Sequence, residues 1–380
     1  MNRIYFDISA TTPIDPQVAD VMHELQRHTY GNPSSIHREG QAARVVIEKS
    51  RRQLSAALHC LPEEIIFTSS GSESNNMVLK GSLNRKDHFI TSSYEHPAVL
   101  EVLPFLQDNG IDFSLVKPDH SGIIKPESVK KEIRTNTRLI SIMFVNNELG
   151  TINPISEIGS LAKEKNIPFH SDAVQALGKI PLDMGKSPVD FLSMSAHKLY
   201  GPKGVGALFI RKGSKLKPLI YGGSQESNLR ASTENIAGIG GFGLASELAA
   251  MNLEKNTQHI NHLENYFLTF LKEKEIEFQI NGSNRIPGVL NITFPKIDGN
   301  NLVMQLDMAG IGISFGAACA SGTLKSSSML LDMGLTESLA LSTVRISFGK
   351  IHNLKDVETV INTMHQIILN QSKESIVYEG

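Results

Sequence analysis

The sequence predicts an α/β protein, with a largely parallel sheet covered by helices and a smaller α+β portion after it. Three observations carry this. Apolar runs of strand length recur through the first two thirds of the chain and are continuous, not alternating, which is the pattern of strands buried on both faces. Segments with helical apolar spacing stand between most of them, as in β-α-β units. The 380 residues also exceed one small core, since domains hold roughly 100–200 residues each, so two packed domains are expected.

In chain order, the first clear element runs from Arg38 to His59. There Ala43, Ile47, Leu54 and Leu58 recur at spacings of four, seven and four, while Arg44, Glu48, Lys49, Arg51 and Arg52 hold the other faces; this is an amphipathic helix. Glu64–Thr68 then reads as a strand, Ser69–Ser72 as a small-residue turn and Glu73–Leu83 as a helix. Further strands are expected at Phe89–Ser93, Phe113–Lys117, Leu139–Val145, Pro168–Asp172, Phe191–Ser195 and Val205–Ile210, with a helix at Ile155–Lys165. One long helical stretch spans about Asn235 to Lys274. Strands near Phe278–Ile280, Leu290–Phe294 and Val344–Phe348 mix with helices beyond it. The last helix begins after Asn353 as N-cap, with Asp356 in its first turn and Val357, Val360, Ile361, Met364 and Ile368 as its buried stripe. No repeat, low-complexity linker or charge block separates the two portions.

Composition removes several classes of function. Thirty-seven basic against 39 acidic residues leave a net charge of −2, so no overall basic field draws the chain to nucleic acid. The most continuous apolar runs fall far short of the roughly 18 residues a membrane helix needs, and the N-terminus reaches Asp7 before any apolar stretch, so neither a membrane segment nor a secretory signal is expected. Two cysteines, Cys60 and Cys319, make no CxxC spacing and exclude a disulfide scaffold. No His, Asp or Glu cluster shows metal-ligand spacing. A cytoplasmic location follows as the expectation.

The sharpest chemical segment is Ser193-Met194-Ser195-Ala196-His197-Lys198, followed by Tyr200-Gly201-Pro202. It places a lysine directly after an apolar strand. Desolvated lysine loses proton affinity and forms imines with carbonyls; taken alone, the same letters also suit a surface lysine. Upstream, the strand ending Phe169-His170-Ser171-Asp172 closes on an acid. Ligands of open α/β sheets bind at the carboxyl ends of strands, so Asp172 and Lys198 can face one crevice, although a strand-end acid is also a common N-cap. Pyridoxal 5'-phosphate needs such a pair, a lysine for the imine and a carboxylate for the ring nitrogen.

Its phosphate finds a seat at Thr68-Ser69-Ser70-Gly71-Ser72-Glu73, where a small-residue turn aims backbone N–H groups from the start of a helix. Ser70 and Glu73 would equally form a capping box. Gly238-Ile239-Gly240-Gly241-Phe242-Gly243 matches a dinucleotide fingerprint but has no strand before it, which favours close helix packing instead. Cys319 lies in the small-residue run Gly316-Ala317-Ala318-Cys319-Ala320-Ser321-Gly322, suited to an accessible thiol or to a buried filler. Cys60 follows a helix end and reads as structural. Arg345, inside an apolar strand, needs an anion, either a substrate carboxylate or an internal acid.

Together these residues resemble the cysteine desulfurases of the NifS/IscS type, pyridoxal phosphate enzymes of the class V aminotransferase fold. The resemblance runs through Tyr5–Pro13, Gly31–His37, Thr68–Asn76, Glu95-His96, Val145–Gly150, His170–Gln175, Ser195–Lys198, Gly316–Cys319 and Arg345–Ser347. It implies a fold-type I architecture: a large domain, residues 14–250, around a mostly parallel seven-stranded sheet, and a small domain formed by residues 1–13 and 251–380 that carries the cysteine loop. It implies that Lys198 binds the cofactor covalently, Asp172 meets the pyridine nitrogen, His96 stacks on the ring and assists proton transfer, and Gln175 meets the ring hydroxyl. Gly71, Ser72, Ser195 and His197 would hold the phosphate, joined by Thr233 from the second subunit of a homodimer. Asn147 and Arg345 would take the substrate carboxylate, and Cys319 would accept sulfur from L-cysteine. The persulfide would serve an acceptor protein, a scaffold for iron–sulfur assembly or a tRNA thiolation enzyme. On the same fold a selenocysteine lyase, an aminotransferase or a catalytically silent binding protein stand as alternatives, and a sulfur-carrying role for Cys319 separates the desulfurase from them. The segment Gln225–Thr233 departs from the family pattern Q-E-R-G-x-R-S-G-T, with Asn228 and Ser232 in place of its two glycines and Ser227 in place of an arginine.

Overall fold

The computed structural model describes residues 3–315 and 326–378; Cys319 lies outside them. The chain opens with strand β1 (Ile4–Tyr5), then helices α1 (Pro16–His28) and α2 (Arg38–Leu58). Asp15 starts α1 by accepting the Gln17 N–H at 3.0 Å, and α2 ends where His59 turns left-handed at φ 51°, a common helix stop. Then follow β2 (Ile65–Thr68), α3 (Gly71–Ser82), β3 (His88–Ser92), α4 (Pro97–Leu100), α5 (Leu103–Asp108), β4 (Asp112–Val116), α6 (Pro126–Glu132), β5 (Thr137–Ser141), α7 (Ile155–Glu164), β6 (Phe169–Asp172), β7 (Phe191–Ser195) and β8 (Gly206–Ile210).

Strands β2 to β8 form one seven-stranded sheet in the order β2-β8-β7-β6-β5-β3-β4. Every neighbouring pair is parallel except the two that involve β8. Strand β8 therefore runs alone against the rest, and the carboxyl ends of β2, β7, β6, β5 and β3 share one edge. That edge carries the site. Continuous apolar runs follow from burial on both faces: two apolar clusters flank the sheet, one including Phe67, Ile140 and Phe169, the other Phe89, Leu139 and Phe191.

Strand β5 is shorter than its apolar run, which reads as strand to Val145. Beyond Ser141 backbone bonds persist toward β6, with the Ile142 and Phe144 N–H groups donating to the His170 and Asp172 carbonyls at 3.2 and 2.8 Å, while side chains serve Met143: Glu95 accepts its N–H at 2.9 Å and Asn153 donates to its carbonyl at 2.7 Å. The long helical stretch after residue 235 is two helices, α8 (Ile236–Met251) and α9 (Leu253–Glu273), bent by 70° at Asn252. Among the described residues no single helix is long and apolar enough to cross a membrane. The glycines of α8 serve close packing, as expected. A Cβ on Gly240 would meet Leu25 at 2.3 Å, and one on Gly243 would meet the Ser50 backbone at 2.6 Å.

The remainder comprises β9 (Gln279–Asn281), β10 (Val289–Thr293), α10 (Gly299–Met308), β11 (Ile311–Gly312), α11 (Ser328–Asp332), α12 (Glu337–Leu341), β12 (Thr343–Ser347) and α13 (Leu354–Tyr378). Strands β12, β10 and β9 form an antiparallel sheet, and β1 pairs in parallel with β11. Their separate core joins Phe6 at the N-terminus with Phe267, Leu290, Ile346 and the α13 stripe. Asn353 and Asp356 cap α13 reciprocally, each side chain accepting the other's N–H at 3.2 and 2.9 Å.

Candidate active site

Lys198 follows β7 by one short turn, and the N-terminal segment straps that turn down. Thr12 donates its N–H and hydroxyl to the His197 carbonyl at 3.0 and 2.9 Å, and its hydroxyl accepts the Tyr200 N–H at 2.8 Å. The Lys198 ammonium donates to the carbonyls of Ser9 and Ala10, each at 2.7 Å. Burial and the nearby Arg345 charge pull its pKa down to about 8, against the attraction of Asp172 and Asp7. An amine form is thus accessible near neutral pH.

Asp172 ends β6, the neighbour of β7. It is buried, yet both oxygens are served: Asn75 donates to Oδ2 at 2.7 Å and the Val174 N–H to Oδ1 at 2.9 Å. Two donors and no acceptor suit a carboxylate. Asn75 was not among the residues the sequence singled out for the site, though it closes the Thr68–Asn76 segment. His96 caps α4, its Nδ1 accepting the Ala98 N–H at 3.0 Å. That bond leaves the neutral ring's hydrogen on Nε2. Desolvation in the cleft lowers the His96 pKa, helped by Lys198 and opposed by Asp172.

At the start of α3, Ser70 caps the Glu73 N–H at 3.1 Å. The expected box is half formed, because Glu73 reaches the Ser69 N–H at 2.8 Å and the Arg230 guanidinium at 2.9 Å instead of returning to Ser70. The N–H groups of Gly71 and Ser72 have no place in the helical ladder. Glycine is required at the first of them, since a Cβ on Gly71 would lie 2.5 Å from Val174 and 3.6 Å from the Ser195 Cβ. His197 bonds Thr11 through Nδ1 at 3.1 Å, and burial with surrounding lysines brings its pKa to about 4. Gln175 is buried and donates to the Ser9 carbonyl at 2.8 Å.

Arg345 sits in β12, 6 % exposed. Its anion within the chain is Asp7 at 2.7 Å, and it also donates to the Asn147 carbonyl at 2.8 Å. Its buried Nε has no partner among the described residues, so one donor remains for a bound ligand. Both flanks of the segment that holds Cys319 meet this corner. Ser314 exchanges backbone bonds with Arg345 at 2.7 and 3.0 Å, and Ser327 donates to Glu148 at 3.0 Å. Cys60 packs against the sheet core with its thiol pushed up to about 12 by burial, which makes it inert.

Thr233 is exposed, away from these contacts. The segment before it is stapled to the phosphate-side elements: Glu226 accepts from Arg51 at 2.7 and 2.9 Å and from the Phe67 N–H at 2.8 Å. Besides Asn75, sequence reasoning missed Asp7 and Glu95 as site groups. Glu95 accepts from Ser92 at 2.5 Å, its other oxygen unpartnered, and burial with Asp172 nearby raises its pKa to about 8. Its only sequence signal was its place beside His96.

The donor set fits pyridoxal phosphate. It offers a lysine of lowered proton affinity, a buried carboxylate one strand away, helix N–H groups outside the helical ladder beside Ser195, and an arginine with a spare donor. The class-V aminotransferase family model matches residues 4–360. A cysteine desulfurase IscS from Dictyoglomus turgidum is 43% identical over 372 residues, 96% of this chain and 94% of the relative. Among solved structures, a NifS-like protein superposes with TM-score 0.90 at 37% identity, covering 96% of this chain and 99% of that one. A structure titled SspA in complex with cysteine gives 0.82 at 38% identity, covering 91% and 99%. Sheet order, site geometry and these likenesses agree, and the chain belongs to the class-V aminotransferase family, among the pyridoxal phosphate-dependent cysteine desulfurases.

Proposed function

We propose that this protein converts L-cysteine and the Cys319 thiol into L-alanine and a Cys319 persulfide. The substrate's C–S bond and the Cys319 S–H bond break while an S–S bond and a C–H bond form, so atoms and electrons balance without another reactant. The observation that carries the reading is the meeting of Lys198, Asp172 and Arg345 with both flanks of the Cys319 segment, at Ser314 and Ser327. Bound pyridoxal phosphate supplies an electron sink that acidifies the substrate Cα–H bond.

The chain's own groups do the rest. Asp172, whose oxygens accept from Asn75 and the Val174 N–H, would meet the cofactor's ring nitrogen. Gly71, Ser72, Ser195 and His197 would hold the phosphate, and Gln175 would meet the ring hydroxyl. Arg345 and Asn147 orient the substrate carboxylate. Lys198 gives and takes protons at Nζ, and His96 holds one at Nε2. Cys319 attacks the substrate sulfur; the other of the two cysteines, Cys60, packs against the sheet core as a thiol.

Thr233 reaches the cofactor phosphate of a second copy of the chain, which makes the working unit a homodimer. The persulfide then serves an acceptor protein, for iron–sulfur assembly or tRNA thiolation, in the cytoplasm. The cluster that joins Phe6, Leu290 and α13 supports a small domain of residues 1–13 with 251–380 beside a large domain of residues 14–250, and Ile286, Val289, Met329, Leu330, Met333 and Ala340 of the small domain pack onto the larger core. Visible absorbance of the purified protein and borohydride reduction test the site. The wild type carries a reducible adduct on Lys198, and Lys198→Ala lacks it; an adduct trapped on another lysine contradicts the assignment.

A further inference from the structure

A second lysine approaches the site from behind. The turn after β6 brings Lys179 back through Gly178, left-handed at φ 74°, where a Cβ would meet Ala249 at 3.0 Å and Leu199 at 3.3 Å. Lys179 and Lys198 line one cleft together with Ser9, Asp15, Tyr200 and Lys350. The Lys179 Nζ donates to Gln175 Oε1 at 2.5 Å, Gln175 Nε2 donates to the Ser9 carbonyl at 2.8 Å, and Lys198 Nζ donates to that same carbonyl at 2.7 Å. Among the described residues no carboxylate pairs with Lys179, and no role in the reaction described above uses it.

This relay fixes a direction. An ammonium only donates and a carbonyl only accepts, so the Gln175 amide cannot turn end for end without facing donor with donor and acceptor with acceptor. Gln175 is 4 % exposed, and water does not compensate a reversed amide there.

We propose that Lys179 is a positioning residue of this active site: it holds Gln175 with its NH2 end on the Ser9 carbonyl that receives Lys198, which leaves the second N–H of that amide as the donor for the cofactor's ring oxygen. This rests on the pyridoxal phosphate reading. The electrostatics confine this orientation to pH values at which Lys179 is an ammonium. Burial first, then the charges of Lys198 and Arg345, bring the Lys179 pKa down to about 7, and like charges disfavour protonation of each other.

The test is a pH titration of the visible absorbance of the holoenzyme. In Lys179→Met the midpoint rises by about one unit, because a like charge and the orienting donor are both lost. Lys179→Arg, another donor-only cation, restores most of the shift. In a Gln175→Leu background the Lys179→Met substitution adds less than half its effect, as coupled residues do. Should Lys179→Met fail to fold, Lys179→Gln provides the same neutral comparison. An unmoved midpoint in the neutral variant, equal shifts for Met and Arg, or full additivity with Gln175→Leu overturns the proposal. A wild type without a visible band refutes the cofactor reading itself, which keeps the two failures distinct.

Discussion

Lys198 and Asp172 earn their roles from opposite treatment by their surroundings. The lysine loses proton affinity through burial and the Arg345 charge, while the acid is met by two donors. Both were legible in the sequence, because a lysine and an acid at the ends of apolar strands have few bland explanations when they occur together. Asn75 and Asp7 were not, since an amide within a helix and an acid near a terminus carry no periodic signal; only the fold brings them under Asp172 and Arg345. For Arg345 the sequence left open an internal acid or a substrate carboxylate. The structure supplies Asp7 and still leaves Nε without a partner among the described residues. The glycine losses near Thr233 are also legible as strain. Asn228 and Ser232 retain left-handed backbones at φ 67° and 101°, which asparagine tolerates better than serine. Ser232→Gly is expected to stabilise the fold by about 1 kcal/mol, relief of strain exceeding the added freedom of the unfolded chain. Denaturant titration reads it as a higher midpoint at unchanged slope.

The strands show how far a pattern carries. Most of the sheet was readable from continuous apolar runs, and β7 falls on Phe191–Ser195 as expected. Polar residues within those strands hid their partners. His170 in β6 is fully buried, bridging the hydroxyls of Ser141 on β5 at 2.7 Å and Ser193 on β7 at 2.9 Å. Burial lowers its pKa to about 3, so between there and its ordinary value the unfolded chain binds the extra proton. Its contribution to stability is therefore complete above about pH 6.5 and declines as pH falls toward 3. Stability measured against pH in that window is expected to fall less steeply for His170→Asn than for the wild type. Parallel slopes would mean that His170 is not held neutral. The break at Asn252 and the early end of β5 escaped the pattern for a different reason. Both depend on tertiary packing and side-chain bonds, which local periodicity does not record.

At the scale of the molecule, the N-terminal segment joins both cores: Phe6 packs in the smaller one, while Thr12 straps the turn that bears Lys198. Arg345, on the smaller sheet, reaches Asn147 beyond the carboxyl end of β5. Thr233 is exposed, and in the proposed homodimer it meets the phosphate of the second copy. Light scattering is expected to give a dimer, and Thr233→Ala to weaken cofactor retention roughly tenfold, the scale of one hydrogen bond to a charged group; a fully active monomer would contradict the shared site. The central claim is that Cys319 carries the sulfur, and the most direct measurement is mass spectrometry of its peptide after turnover with sulfur-labelled L-cysteine. The account predicts labelled persulfide on Cys319 in the wild type. It also predicts that Cys319→Ser retains cofactor and its spectral response to cysteine while losing the persulfide and nearly all alanine release. Label on Cys60, or undiminished turnover in Cys319→Ser, would contradict it.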